Sequence, residues 1–278
     1  MVPKIQKVAV AGATGNVGRP TLKALLADGF DVTVLVRKQG SFPDNVNVKV
    51  VDFTSLSAIK DALQGHQAFV DCTLVHDDTP TRLIDAAAAA GVYRFIPSDF
   101  SLDFNNRNVH SVPVFFKKDM NDKHLLKKCE ETGMTWSVIC NGAFLDWNLR
   151  TGFMNIDIYN KKVDYINEGE NVHVWTTLES TGKASQMQMV DLCKEALGTD
   201  GWTESKLNMD QVFAGALKEF QAGNYSMKVF GDMIRYANSR PDFSRPWPKD
   251  DNPMLGVKEM SDDEVKSLIQ SIAAEKTG

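Results

Sequence analysis

Residues 7–18 read Lys7-Val-Ala-Val-Ala-Gly-Ala-Thr-Gly-Asn-Val-Gly18, and the architecture follows from how this stretch is punctuated. Its first five residues suit a short strand buried on both faces. Glycines follow at Gly12, Gly15 and Gly18, spaced Gly-x-x-Gly-x-x-Gly. Beyond them Leu22, Leu25 and Leu26 fall on one helical face, Pro20 stands where a helix begins, and Gly29 where it ends. A glycine turn between strand and helix lets backbone N–H groups and the positive helix N-terminus approach a diphosphate. Thr14 and Asn16 add side-chain donors, so Gly12, Thr14, Gly15, Asn16 and Val17 are the candidate contacts. Alone, such a trio also suits a plain surface turn; its place in a first strand–helix unit is what gives it meaning.

The alternation continues outward. Strands are expected at 31–36, 46–51, 68–72, 94–96 and 135–140. Helices are expected at 56–63, 82–90 and 116–132. Strands that alternate with helices argue for a doubly wound parallel sheet of α/β class. After Leu149 the pattern loosens, with helices expected at 185–197, 209–221 and 261–274 and a proline-rich loop at 240–253. This predicts a dinucleotide-binding Rossmann domain over 1–150 and a smaller, mainly helical C-terminal substrate lobe over 151–278, partly interleaved with it.

Composition bounds the function. Across 278 residues, 31 basic and 36 acidic side chains leave a net charge of −5, which disfavours a nucleic-acid binder that works by covering phosphates. No apolar run approaches the roughly 18 residues that span a bilayer, and the N-terminus lacks the pattern of a signal peptide. Cys72, Cys129, Cys140 and Cys193 show no Cys-x-x-Cys spacing, and the five histidines form no His-x-x-x-His pair. Neither a disulfide framework nor a metal site is expected, and the location predicted is cytoplasmic.

The second strand ends at Val36 and is followed by Arg37 and Lys38. An NAD site usually places an acid here for the ribose hydroxyls, whereas a guanidinium suits a 2′-phosphate dianion. The cofactor implied is NADP(H); the competing reading is a solvated strand end. Asp52 and Phe53 follow strand three, where Phe53 is either an adenine neighbour or core. Thr73, Leu74 and Val75 follow strand four, beside the point where a dinucleotide crosses such a sheet. His76 is a candidate proton donor or simply a solvated loop residue.

These features together resemble the NmrA-like, isoflavone reductase-like branch of the short-chain dehydrogenases/reductases. The resemblance rests on Val8–Gly18, Val34-Leu-Val-Arg37, Leu83–Phe100 with its Arg-Phe-Ile-Pro-Ser-Asp-Phe run, Thr135–Trp147 and Thr176–Lys183. It covers residues 5–185 and thins afterwards. It implies an active-site lysine at the start of the helix before strand six, where Lys118 aligns and Lys117 is the alternative; the competing reading for Lys118 is a solvent-facing lysine of a basic helix. That lysine would contact the nicotinamide ribose and help supply a proton as hydride is delivered. Asn141, Gly142 and Phe144 match positions beside the nicotinamide, with core as the competing reading for Phe144; Asp146 and Trp147 match the substrate mouth. No Tyr-x-x-x-Lys pair exists, which excludes a mechanism built on that motif. Two departures stand out. Ser101 replaces the glycine common after Pro-Ser-Asp-Phe, and Ala184 runs directly into Ser185 where relatives carry a further segment.

The leading expectation is an NADPH-dependent reductase of a small aromatic or conjugated molecule, acting as monomer or homodimer. The alternative is a catalytically silent NADP(H)-sensing regulator that binds a protein partner.

Overall fold

The computed structural model describes residues 3–75, 77–177, 180–244 and 251–275, excluding the side chains of 180–182. The chain divides into two compact units, Met1–Phe100 with Lys117–Ile139, and Ser101–Phe116 with Cys140–Gly278. The boundary predicted at residue 150 lies within the second unit.

The elements of the first half run β1 (Lys7–Ala11), α1 (Gly18–Ala27), β2 (Asp31–Val36), β3 (Val46–Val50), α2 (Leu56–Leu63), β4 (Ala68–Asp71), α3 (Thr79–Ala89) and β5 (Arg94–Ile96). After α4 (Arg107–His110), which belongs to the second unit, come α5 (Phe116–Thr132) and β6 (Thr135–Trp136). The six strands form one sheet in the order β3-β2-β1-β4-β5-β6, and every pair is parallel. This is the doubly wound order that reverses direction between β1 and β4, and the α/β class expected from the sequence is borne out.

Alternation along the strands builds a core on each face. Val8, Val10, Val32, Val34 and Val70 pack on one side, and Ala9, Ala11, Leu35, Phe69 and Phe95 on the other. Phe69 and Phe95 meet edge to face, with centroids 5.4 Å apart. The sixth strand is shorter than the expected 135–140. Its partner β5 has three residues and ends at Pro97, which has no N–H for a ladder. Ser137 instead receives a hydrogen bond from the Arg94 guanidinium.

The second unit is less helical than expected, because two small sheets accompany its helices. Its remaining elements are β7 (Ala143–Phe144), α6 (Leu145–Thr151), β8 (Ile156–Asp157), β9 (Lys162–Ile166), β10 (Val172–Thr176), β11 (Ser180–Ser185), α7 (Gln186–Leu197), β12 (Thr203–Leu207), α8 (Met209–Gln221), α9 (Met227–Asn238), α10 (Pro241–Ser244), α11 (Asn252–Leu255), β13 (Lys258–Glu259) and α12 (Asp262–Glu275). The sheets run β13-β11-β10-β7 and β12-β9-β8. At Ser185 β11 passes straight into α7. Ser185 caps that helix in a reciprocal box with Gln188, which closes the junction without a loop. Among the described residues no helix is long and apolar enough to cross a membrane.

Candidate cofactor and proton-donor site

The glycine turn occupies the C-terminal end of β1. Gly12 adopts φ +75°, and a Cβ there would lie 2.4 Å from the Cys72 carbonyl oxygen. A Cβ on Gly18 would lie 2.1 Å from the Gly12 carbonyl oxygen. Both positions therefore exclude any side chain, and this brings the turn against the end of β4 at the switch point. The turn is closed by the Gly15 N–H donating to the Gly12 carbonyl at 2.9 Å. Thr14, Gly15 and Asn16 are exposed, and Val17 is half-buried. Helix α1 starts with no side-chain cap and no acid in its first turn, so its positive end is left uncompensated by any local carboxylate. Thr73 presents a buried hydroxyl with no hydrogen-bond partner, while its N–H donates to Asp71 Oδ1 at 2.8 Å and its carbonyl accepts from Ser98 at 2.7 Å. A backbone cradle, an uncapped helix start and an orphaned donor fit a dinucleotide diphosphate.

Arg37 and Lys38 are both exposed beyond β2, and neither forms an ion pair among the described residues. The other residues after the strands divide in their placement. Asp52 accepts from the Thr54 N–H at 2.8 Å and hydroxyl at 2.7 Å, contacts that hold its carboxyl below the usual range. Phe53 packs against the core of the first unit, and its carbonyl accepts from Arg82. Leu74 is 81% exposed and Val75 half-buried. His76 lies outside the described residues.

Helix α5 separates the two lysine candidates. Lys117 reaches exposed Asp78 at 2.9 Å. Lys118 reaches Asp99 at 3.1 Å, a carboxylate that is almost wholly buried. Lys118 is thus the half-buried ammonium of the two, fixed in place by a buried carboxylate. Asp122 lies four residues on, which places it on the same helical face. It too is buried, and its carboxyl is pushed up to about 8, first by burial and then by the charge of Asp99. Sequence reading missed Asp99 and Asp122 as site residues. The available signals were the acid in Pro97-Ser-Asp99 and the four-residue spacing from Lys118.

Asn141, Gly142 and Phe144 belong to the second unit. Gly142 adopts φ +66°, and a Cβ there would meet the Val174 carbonyl oxygen at 2.4 Å. The Asn141 carbonyl accepts from Thr176, its side-chain oxygen is buried without a partner, and half-buried Phe144 pairs with β10. Ser101, which replaces the family's glycine, accepts from the N–H groups of Asn141 and Gly142 through its carbonyl. Asp146 is tied to Arg150, and Trp147 packs on Phe153. The same unit contains a cleft of about 410 Å³, lined by Phe116, Phe213, Leu217, Phe220, Tyr236 and Phe243 among others. Phe213 and Tyr236 stack at 4.0 Å.

The family model described as NAD(P)H-binding matches residues 12–165. The chain belongs to the NAD(P)H-binding family. The chain is 25% identical to the oxidoreductase poxI of Penicillium oxalicum over 95% of its own length and 93% of that protein. It is 30% identical to the oxidoreductase aprR of Aspergillus flavus over 64% of this chain, a match that spans 62% of aprR. An isoflavone reductase structure shares the fold with TM-score 0.71 at 18% identity, covering 94% of this chain and 98% of that one. Leucoanthocyanidin reductase from Vitis vinifera, solved as a binary complex with NADPH, does so with TM-score 0.73 at 14% identity, covering 96% and 99%. The family model bears out the NAD(P)H-binding part of the resemblance read from the sequence, and these neighbours share the fold.

Proposed function

We propose that this protein uses NADPH to reduce a small aromatic or conjugated carbonyl-type compound, with Lys118 as the acid. At the coarser level it is an NADP-dependent oxidoreductase, as its NAD(P)H-binding family and oxidoreductase relatives indicate. The nicotinamide, when bound, supplies hydride. The observation that carries the finer reading is the Lys118 ammonium, half-exposed and anchored on buried Asp99 at 3.1 Å. A carbonyl that accepts hydride gathers negative charge on oxygen, and an ammonium at that oxygen stabilises the charge and delivers the proton. Gly12, Gly15 and Gly18 hold the diphosphate, and Arg37 with Lys38 favours the 2′-phosphate of NADP over the free hydroxyl of NAD. The second unit serves as the substrate lobe in this reading. A cytoplasmic location belongs to the same reading, supported by four cysteines that are all free.

The test follows NADPH oxidation against a panel of ketones and enones. At least one compound should turn over, and Lys118→Ala should lower kcat by about 10²- to 10⁴-fold with NADPH still bound. Tight NADPH binding without turnover of any compound would instead favour the sensing regulator, which keeps its protein partner in Lys118→Ala.

A further inference from the structure

Three ionisable side chains lie on or against the first turns of α5, and among the described residues only two of them are paired. Lys118 and Asp99 form the ion pair at 3.1 Å. Asp122, four residues from Lys118 on the same face, is 6% exposed, and its Oδ2 is buried with no hydrogen-bond partner. Two buried carboxylates beside one ammonium leave an uncompensated negative charge, which burial makes costly. The charge is relieved by a proton on one acid. Asp99 has the ammonium against it, so the proton falls on Asp122.

We propose that Asp122 governs how readily Lys118 gives up its proton, acting beside the Lys118–Asp99 pair as a second counter-ion that is present only when Asp122 is ionised. It is a positioning residue, since it acts through Lys118. The electrostatics agree in direction. Burial and the charges of Asp99 and Asp119 raise the carboxyl of Asp122, and Lys118 opposes them. Asp119 is itself tied to Lys123. Asp78, just before α3, faces Lys117, and Asp85 of α3 faces His124 and Lys128. With Asp122 neutral, Lys118 answers to one carboxylate and donates its proton more easily. Once Asp122 ionises, the lysine holds its proton more tightly, and donation slows on the alkaline side. This last consequence rests on the reading of Lys118 as the acid of the reduction.

The test uses the full chain without cofactor. Carbon NMR of labelled aspartates, assigned by Asp122→Asn, should show Asp122 titrating near pH 8. Asp99→Asn should move that midpoint down and Lys118→Met should move it up, each by about one pH unit or more. In parallel, the pH profile of Lys118 acylation by an amine reagent should shift to lower pH in Asp122→Asn. A carboxyl that titrates in the ordinary range near 4, or a midpoint indifferent to both neighbours, overturns the proposal. So does a Lys118 profile unmoved by Asp122→Asn. If Lys118→Met keeps turnover while the NMR coupling is present, the assignment of Lys118 as the acid fails and the coupling stands.

Discussion

Two buried acids of the first unit and a buried histidine of the second lose neutrality at opposite ends of the pH range. The first holds Asp122, pushed up to about 8, and Asp71, pushed up to about 6, both mainly by burial. The second holds His173, which burial pushes down to about 4. Its Nδ1 faces the Asn171 carbonyl at 3.2 Å, its Nε2 is buried without a partner, and its ring lies 4.8 Å from that of Trp175. Both units keep the buried group neutral, because neutrality is the less costly state away from water. The pH at which neutrality is lost differs in sign. The difference teaches that burial, acting on an acid in one case and on a base in the other, sets on which side of neutral pH a buried group becomes charged.

The largest expected effect is therefore one of pH. An acid raised on folding stabilises fully below its unfolded value near 3.8, and that contribution is lost as pH climbs to about 8 for Asp122. A histidine lowered on folding stabilises fully above 6.5 and loses its contribution as pH falls to about 4. Urea unfolding of wild type should thus weaken from pH 5 to 8 by roughly 4 kcal/mol through Asp122, given about 1.4 kcal/mol per pH unit. Asp122→Asn should flatten that slope, and His173→Asn should flatten the opposite loss between pH 6.5 and 4. An unchanged slope in either variant would erase the contrast between the units.

Glycine substitutions sharpen it next. Gly12→Ala and Gly142→Ala each combine a positive φ with a carbonyl oxygen 2.4 Å from the new Cβ, and each should cost about 3 kcal/mol or more. Hydrogen exchange should place the first loss in β1 to β6 and the second in β10 and its neighbours. Protection lost equally throughout both units, from either change, would argue against their independence.

The smallest effects come from two arginines. Arg37→Glu should shift cofactor preference from NADPH toward NADH by about tenfold or more, with stability unchanged. Arg150 makes two 2.9 Å hydrogen bonds to Glu275. Arg150→Glu should lower stability by about 1 kcal/mol or less and leave cofactor preference alone. Equal preference for the two cofactors before and after Arg37→Glu would remove the basis for NADP.

Legibility also followed the division. In the first unit the expected β1, β2 and β5, the helix at 56–63 and the helix at 116–132 agree with the structure. Each is a local segment whose apolar pattern and glycine or proline ends carry the information. In the second unit, β11 pairs with β13 and β9 with β12, joining residues about 78 and 41 positions apart. No local pattern signals such pairings. Helix α9, capped by Ser226, went unread, although α8 at 209–221 did not.

The sequence by itself determined the parallel sheet, the glycine cradle and the cation pair after β2, whereas the lysine at the head of α5 was singled out only by the family resemblance. These depend on neighbours in the chain, on backbone freedom at glycine and on the period of apolar residues. Tertiary structure alone decided which lysine meets a buried carboxylate, that Asp122 stands beside that pair, and how the short strands of the second unit find one another. Those outcomes depend on burial and on charges brought together from distant positions, and a charge reveals its desolvation only once the fold has closed around it.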